Sequence, residues 1–374
     1  MVYLDYSATT KTRDEVLDTY IKSSKDYFAN PNSLHKLGVD AKKLIDASTN
    51  QIAKIMGCKS EDIIYTSCAS ESNNLAIKGY ALRNKQRGMH IISTNLEHSS
   101  IYGPLGYLSN LGFEVDFVKT NSFGLVDIDD LKNLLRDDTI LVSIGAVNSE
   151  TGVRQNIEEI AKLLKNYNCA FHVDATQAVG KVRIDYSDID LISFTAHKFY
   201  GPKGVGVLIK RDNILIEPLI HGGKSTTIYR SGTPALPLIT SISKALRLID
   251  EELDDNYKHV LDLNNYIKDN LKKYENVRIN SNEYSIPHIL NLSVMNAKPE
   301  SMQHALEEYD IYISTQSACS SNNPVSRSVL EVTKDNEASK HSIRISLSGY
   351  TTKEEVDCFL NAFDKCIDKF NSLN

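Results

Sequence analysis

The sequence predicts an α/β protein, with a mainly parallel seven-stranded sheet between helices and a smaller α+β C-terminal domain. Three observations predict it. Short apolar runs rich in β-branched residues recur up to about residue 209, stretches of helical period separate several of them, and the rhythm changes after Leu253. In order, the runs are Ile63-Ile64-Tyr65-Thr66, His90-Ile91-Ile92-Ser93, Val115-Asp116-Phe117-Val118, Ile140-Leu141-Val142-Ser143-Ile144, Ala170-Phe171-His172-Val173, Leu191-Ile192-Ser193-Phe194 and Val205-Gly206-Val207-Leu208-Ile209. Each has strand length and strand composition. Most lack polar alternation, as expected of strands covered on both faces. Between them, Ile157, Ile160, Ala161 and Leu164 follow a helical period. After Leu253, an acidic stretch at 250–255 and a polar helix lead to strands near 289–294 and 342–347 and helices near 301–309 and 353–370. The expected organisation is a segment 1–14 packing with the small domain, a large domain 15–253, and a small domain 254–374.

Composition narrows the function. The 374 residues are 41% hydrophobic and 24% charged, ordinary for a globular protein with a large core. With 48 acidic against 42 basic residues the net charge is −6, so no overall positive field draws in a nucleic-acid backbone. No run approaches the roughly 18 apolar residues of a membrane span, and the start, Met1-Val2-Tyr3-Leu4-Asp5, lacks a basic segment followed by an apolar core. A cytoplasmic protein is expected. The six cysteines are widely spaced, with no C-x-x-C pair to hold zinc or form a redox dithiol, so no metal is expected and free thiols in a reducing compartment fit.

Two strand ends carry the chemistry. Phe171-His172-Val173-Asp174 and Ser193-Phe194-Thr195-Ala196-His197-Lys198 each end in a polar residue, and strand ends converge on the ligand-binding edge of an open parallel sheet. A lysine amine and a carboxylate brought together there suggest pyridoxal phosphate, which needs an amine for its aldehyde and an acid to keep its ring nitrogen protonated. Either residue alone is more often a buried strand-end acid or a surface lysine. Thr66-Ser67-Cys68-Ala69-Ser70-Glu71-Ser72 follows a strand and precedes a helical pattern, so its amides suit a phosphate, although an ordinary helix cap has the same composition. His98 lies just past another strand end, where a ring could stack on a cofactor and shuttle protons. Gly201-Pro202-Lys203-Gly204 makes a tight turn behind the lysine.

These stretches, with Tyr3-Leu4-Asp5-Tyr6-Ser7-Ala8-Thr9-Thr10, Asn30-Pro31-Asn32-Ser33, residues 148–152, Arg230-Ser231-Gly232-Thr233, Ser317-Ala318-Cys319-Ser320-Ser321 and Ser342-Ile343-Arg344-Ile345-Ser346, resemble the cysteine desulfurases of the NifS/IscS type, in the class V aminotransferase group. The resemblance covers nearly the whole chain. It implies a fold-type I pyridoxal-phosphate-dependent transferase in which Lys198 carries the cofactor, Asp174 pairs with the ring nitrogen, Gln177 meets the phenolic oxygen and His98 stacks on the ring. Ala69, Ser70, Thr195 and His197 would hold the phosphate, with Thr233 reaching it from the other subunit of a homodimer. Arg344, Asn148, Ser149 and Asn30 would face the substrate, L-cysteine, with Arg344 gripping its carboxylate. Cys319, in a polar, breaker-rich loop, would take the sulfur as a persulfide, leaving alanine. It would then pass the sulfur to an acceptor such as an iron–sulfur scaffold or a tRNA-thiolation protein.

The chain departs from the family pattern at three places. Ser149 stands where the family usually has a second asparagine, and serine is shorter. Lys224-Ser225-Thr226-Thr227 replaces a Gln/His-Glu pattern before Arg230, at the expected rim of the partner's site. Cys68 replaces a phosphate-loop glycine, as either an acidic thiol or a small space-filler. Two alternatives stay open at this point: a related lyase acting on selenocysteine, and a low-activity sulfur-relay scaffold.

Overall fold

The computed structural model, which describes residues 1–315 and 325–373, gathers all seven expected runs into one sheet. Beyond β1 (Val2–Tyr3), its strands are β2 (Ile63–Thr66), β3 (His90–Thr94), β4 (Glu114–Val118), β5 (Thr139–Gly145), β6 (Ala170–Asp174), β7 (Leu191–Thr195) and β8 (Gly206–Lys210). The spatial order is β2-β8-β7-β6-β5-β3-β4. All neighbours are parallel except β8, which runs antiparallel to both β7 and β2. The link from β7 to β8 is a short turn region with no crossover helix, and a parallel return would need one. Burial on both faces accounts for the unbroken apolar runs: Ile92, Val142, Phe171, Ile192 and Val207 enter one core, while Ile91, Leu141, Ala170, Leu191 and Leu208 enter the core opposite. β4 follows β3 outward on one side, whereas β5, β6 and β7 progress on the other. The winding therefore reverses between β3 and β5, where open α/β sheets form their ligand crevice.

A second sheet is antiparallel, in the order β12 (Ser342–Ser346), β10 (Ile289–Val294), β9 (Val277–Ile279). β1 pairs in parallel with β11 (Ile311–Tyr312), and Val2 and Leu4 join the core around this second sheet. One 36-residue helix, Leu236–Leu271, serves both bodies: Ile242, Ala245, Leu246 and Ile249 pack into the first core, Val260, Leu263, Ile267 and Leu271 into the second. The acidic stretch expected near a domain boundary lies inside this helix. No glycine or proline interrupts it there, and Glu251, Asp254 and Asp255 simply occupy its solvent side. No helix among the described residues is long and apolar enough to cross a membrane.

His288, just before β10, is buried beside the long helix, its ring 6.0 Å from that of Tyr257 and its Nδ1 without a hydrogen-bond partner. Burial, helped by the charge of Lys181, holds its pKa down from 6.5 to about 3. The folded chain therefore keeps the ring neutral where the unfolded chain protonates it, and stability falls as pH drops below about 6.5. A His288→Phe variant should lose about 2 kcal/mol less stability than the parent between pH 7 and pH 5. Denaturant unfolding at the two pH values measures this, and equal losses would refute it.

Candidate active site

The carboxyl ends of β3, β5, β6 and β7 open into a cavity lined by Lys198, Asp174, Gln177, His98, Ala69, Ser70, Thr195, His197, Asn148, Ser149 and Arg344. Thr233 and Asn30 are exposed and do not line the cavity of their own chain. Cys319 lies outside the described residues.

Lys198 ends the single turn Ala196–Lys198 directly after β7. Its Nζ donates to the carbonyls of Ser7 at 2.6 Å and Ala8 at 2.8 Å. The same N-terminal segment clamps the turn, because Thr10 donates its amide to the His197 carbonyl at 2.9 Å and accepts the Tyr200 amide at 2.7 Å. Tyr200 has φ 65°, unfavourable for a bulky side chain, and is held there by a 2.6 Å hydroxyl bond to Ser348.

Asp174 closes β6 with both oxygens engaged: Oδ1 accepts the Thr176 amide at 3.0 Å and Oδ2 accepts Asn73 Nδ2 at 2.9 Å. Asn73 also donates to Ser100 Oγ at 2.9 Å. His98 caps the helix Ser99–Ser109. Its Nδ1 accepts the Ser100 amide at 3.1 Å and lies 2.8 Å from the Ser100 hydroxyl, which places the proton of the neutral ring on Nε2. Burial lowers the pKa of His98; the charge of Asp174 opposes the shift and that of Lys198 adds to it. Glu97 beside it is buried and pushed up to about 7 by that burial, although its Oε1 accepts Thr94 Oγ1 at 2.6 Å and the Gly145 amide at 3.0 Å. Asn73 directly follows the stretch 66–72 and Glu97 directly precedes His98, but the sequence reading gave neither a role.

At another wall, Ala69 and Ser70 open a helical run after the extended Cys68, which supplies no side-chain cap. The first-turn amides therefore lack intrahelical acceptors. β8 presses against this loop through Gly206, where a Cβ would stand 2.6 Å from the Cys68 carbonyl carbon. No larger residue fits. Cys68 borders the cavity, and its sulfur lies 3.7 Å from the Ser67 hydroxyl. His197 shares its Nδ1 with Thr9 Oγ1 at 3.1 Å and is driven down to about 4, by burial first and then by the charges of Lys198, Lys203 and Lys181. Thr195 donates its hydroxyl to the Val205 carbonyl at 2.8 Å, so it would have to turn that proton to serve a ligand.

Arg344 arrives from β12 of the second sheet and is 1% exposed. Nη2 meets Asp5 Oδ1 at 2.6 Å, Nη1 donates to the Ser149 carbonyl at 2.9 Å, and the buried Nε has no hydrogen-bond partner. Asn148, expected to face a substrate, spends its amide on the framework. Oδ1 accepts from the Glu150 and Thr151 amides and the Thr151 hydroxyl, while Nδ2 donates to the Leu96 carbonyl and Ser328 Oγ. Both protons of that nitrogen are committed. The five cysteines among the described residues are free thiols.

Residues 2–359 match the family model described as aminotransferase class-V. A protein from Dictyoglomus turgidum named cysteine desulfurase IscS is 39% identical over 378 residues, an alignment spanning 100% of this chain and 96% of the relative. Among solved structures, one described as a NifS-like protein has a TM-score of 0.93 at 35% identity, covering 98% of this chain and 99% of that one. Another, described as SspA in complex with cysteine, has a TM-score of 0.83 at 30% identity, covering 94% of this chain and 100% of that one. The doubly covered sheet, the cavity at its switch point and these full-length likenesses place the chain in the class-V aminotransferase family, among the cysteine desulfurases of the IscS/NifS type.

Proposed function

We propose that the protein is a pyridoxal-phosphate-dependent cysteine desulfurase that moves the sulfur of L-cysteine onto Cys319 as a persulfide and releases L-alanine. The observation that carries this reading is the sharing of one cavity by the Lys198 amine, the Asp174 carboxylate and the Arg344 guanidinium. The donor set fits the cofactor: an amine for its aldehyde, an acid for its ring nitrogen, an imidazole beside them, and uncapped first-turn amides at Ala69 and Ser70 with His197 for its phosphate. Bound there, the cofactor supplies an electron sink for the carbanion formed at the substrate Cα.

The chain's own groups do the rest. Arg344 offers its unpartnered Nε–H to the substrate carboxylate, charge-assisted and in a fixed plane. Asp5 and the Ser149 carbonyl hold that plane in advance, so little ordering entropy is lost on binding. Lys198 takes the proton from Cα and His98, neutral and protonated on Nε2, moves protons on the ring side. The Cys319 thiolate bonds to the substrate sulfur, the electron pair of the breaking carbon–sulfur bond stays with the carbon skeleton, and protonation of that skeleton yields alanine. The solved relative described in complex with cysteine supports the substrate.

The active unit is a homodimer working in the cytoplasm. Leu34 is 96% exposed and Phe28 75% exposed on either side of Asn30, an apolar patch that a second copy would cover while bringing Asn30 and Thr233 toward the other subunit's cavity. Its sulfur goes to a protein acceptor of iron–sulfur assembly or thiolation. Incubation with cysteine and a reductant should release sulfide and alanine in equal amounts, and without the reductant mass spectrometry should find an added sulfur on Cys319. Failure to release either product would overturn the proposal.

A further inference from the structure

Lys181 is a buried lysine that no step above uses. It follows Gly180, whose left-handed φ of 77° and close packing, with a Cβ position 2.7 Å from Phe199 Cβ, let the chain turn so that residue 181 comes back against residue 177. The Lys181 side chain is 6% exposed and donates from Nζ to Gln177 Oε1 at 2.5 Å. Gln177 in turn donates from Nε2 to the Ser7 carbonyl at 2.9 Å, the same carbonyl that accepts Lys198 at 2.6 Å. Among the described residues no carboxylate offsets the Lys181 amine. Burial first, and then the charges of Lys198 and Arg344, push its pKa well below the usual lysine range. A buried amine without an acid is expensive, and a methionine of similar shape would suit the packing better. Stability therefore gives no reason for a lysine here, whereas a primary amide does. An amide has two faces of nearly equal shape, and only a donor on one side and an acceptor on the other decide which faces the cavity. The Ser7 carbonyl is already shared with Lys198, so the fixed partner of Gln177 is Lys181.

We propose that Lys181 is a positioning residue: by donating to Gln177 Oε1 it fixes the amide with Nε2 toward the cavity, so that Gln177 meets the cofactor's ring oxygen as a donor and never as an acceptor. This rests on the pyridoxal phosphate reading above. The test is a double-mutant cycle read by cofactor affinity, from the visible absorption that develops as pyridoxal phosphate is added to the resolved apoprotein, and by denaturant unfolding of that apoprotein. Lys181→Met should weaken cofactor binding about tenfold, the worth of one directed hydrogen bond, while leaving unfolding stability unchanged or raised. Gln177→Ala should weaken binding similarly, and the double variant should bind no worse than Gln177→Ala alone. Lys181→Gln, which keeps a donor, should restore most of the affinity and serves as the folded comparison if the methionine variant does not fold. Normal affinity in Lys181→Met, the same loss in the Gln177→Ala background, or a Lys181→Gln variant as weak as Lys181→Met would each overturn the proposal. A parent protein that takes up no cofactor would overturn the functional reading itself, and this inference with it.

Discussion

Replacing Lys198 by alanine should leave a folded protein without the yellow colour of a lysine-linked cofactor, with sulfide release reduced by about a thousandfold or more, the scale of losing both a covalent anchor and a positioned base. The amine sits on the carbonyls of Ser7 and Ala8, so its removal strands the Ala8 acceptor near the cavity while Ser7 keeps Gln177, and should also cost about 1–3 kcal/mol of stability. Colour and stability thus fall together, but for separable reasons. Added cofactor would not restore the absorption, whereas a merely destabilised variant would recover it. In the parent, borohydride reduction followed by peptide mapping should recover the reduced adduct on residue 198. An adduct on Lys181 or Lys203 instead would relocate the chemistry.

The second large effect concerns Cys319→Ala. Its colour and cofactor affinity should match the parent, because the cofactor contacts proposed here come from the first sheet's strand ends and the loop at Ala69. Sulfide release should nonetheless fall to background, because the substrate sulfur then has no thiolate to accept it. A coloured, inactive protein that gains no sulfur mass on incubation with cysteine is the expected result. Full activity in this variant would eliminate the persulfide route while leaving the cofactor assignment standing.

Much of this was legible in the sequence because the inner strands are buried on both faces, so short length and β-branched content marked them, while the edge strand β4 keeps polar residues in solvent. The ends of those strands then pointed to Asp174 and Lys198 as a pair, whereas Thr195 came only from the family resemblance. Backbone acceptors were not legible. Nothing in Ser7 or Ala8 announces that their carbonyls hold a lysine some 190 residues away, since a carbonyl has no residue-specific signature. The bonds of Asn148 were equally hidden: its Oδ1 closes its own loop and its two Nδ2 protons go to Leu96 and Ser328. Lys181 carries no motif signal, and only the fold reveals that it is enclosed. The change of rhythm after Leu253 falls inside a continuous helix, where Glu251, Asp254 and Asp255 line the solvent side.

The helix Leu236–Leu271 has a mechanical consequence. At about 1.5 Å per residue it is a rod of about 54 Å whose two halves are each sunk in a different hydrophobic interior. Swinging one body against the other would have to flex that rod or pull one half from its socket. Any change in the spacing of Lys198 on the first body and Arg344 on the second therefore carries the cost of bending a shared strut.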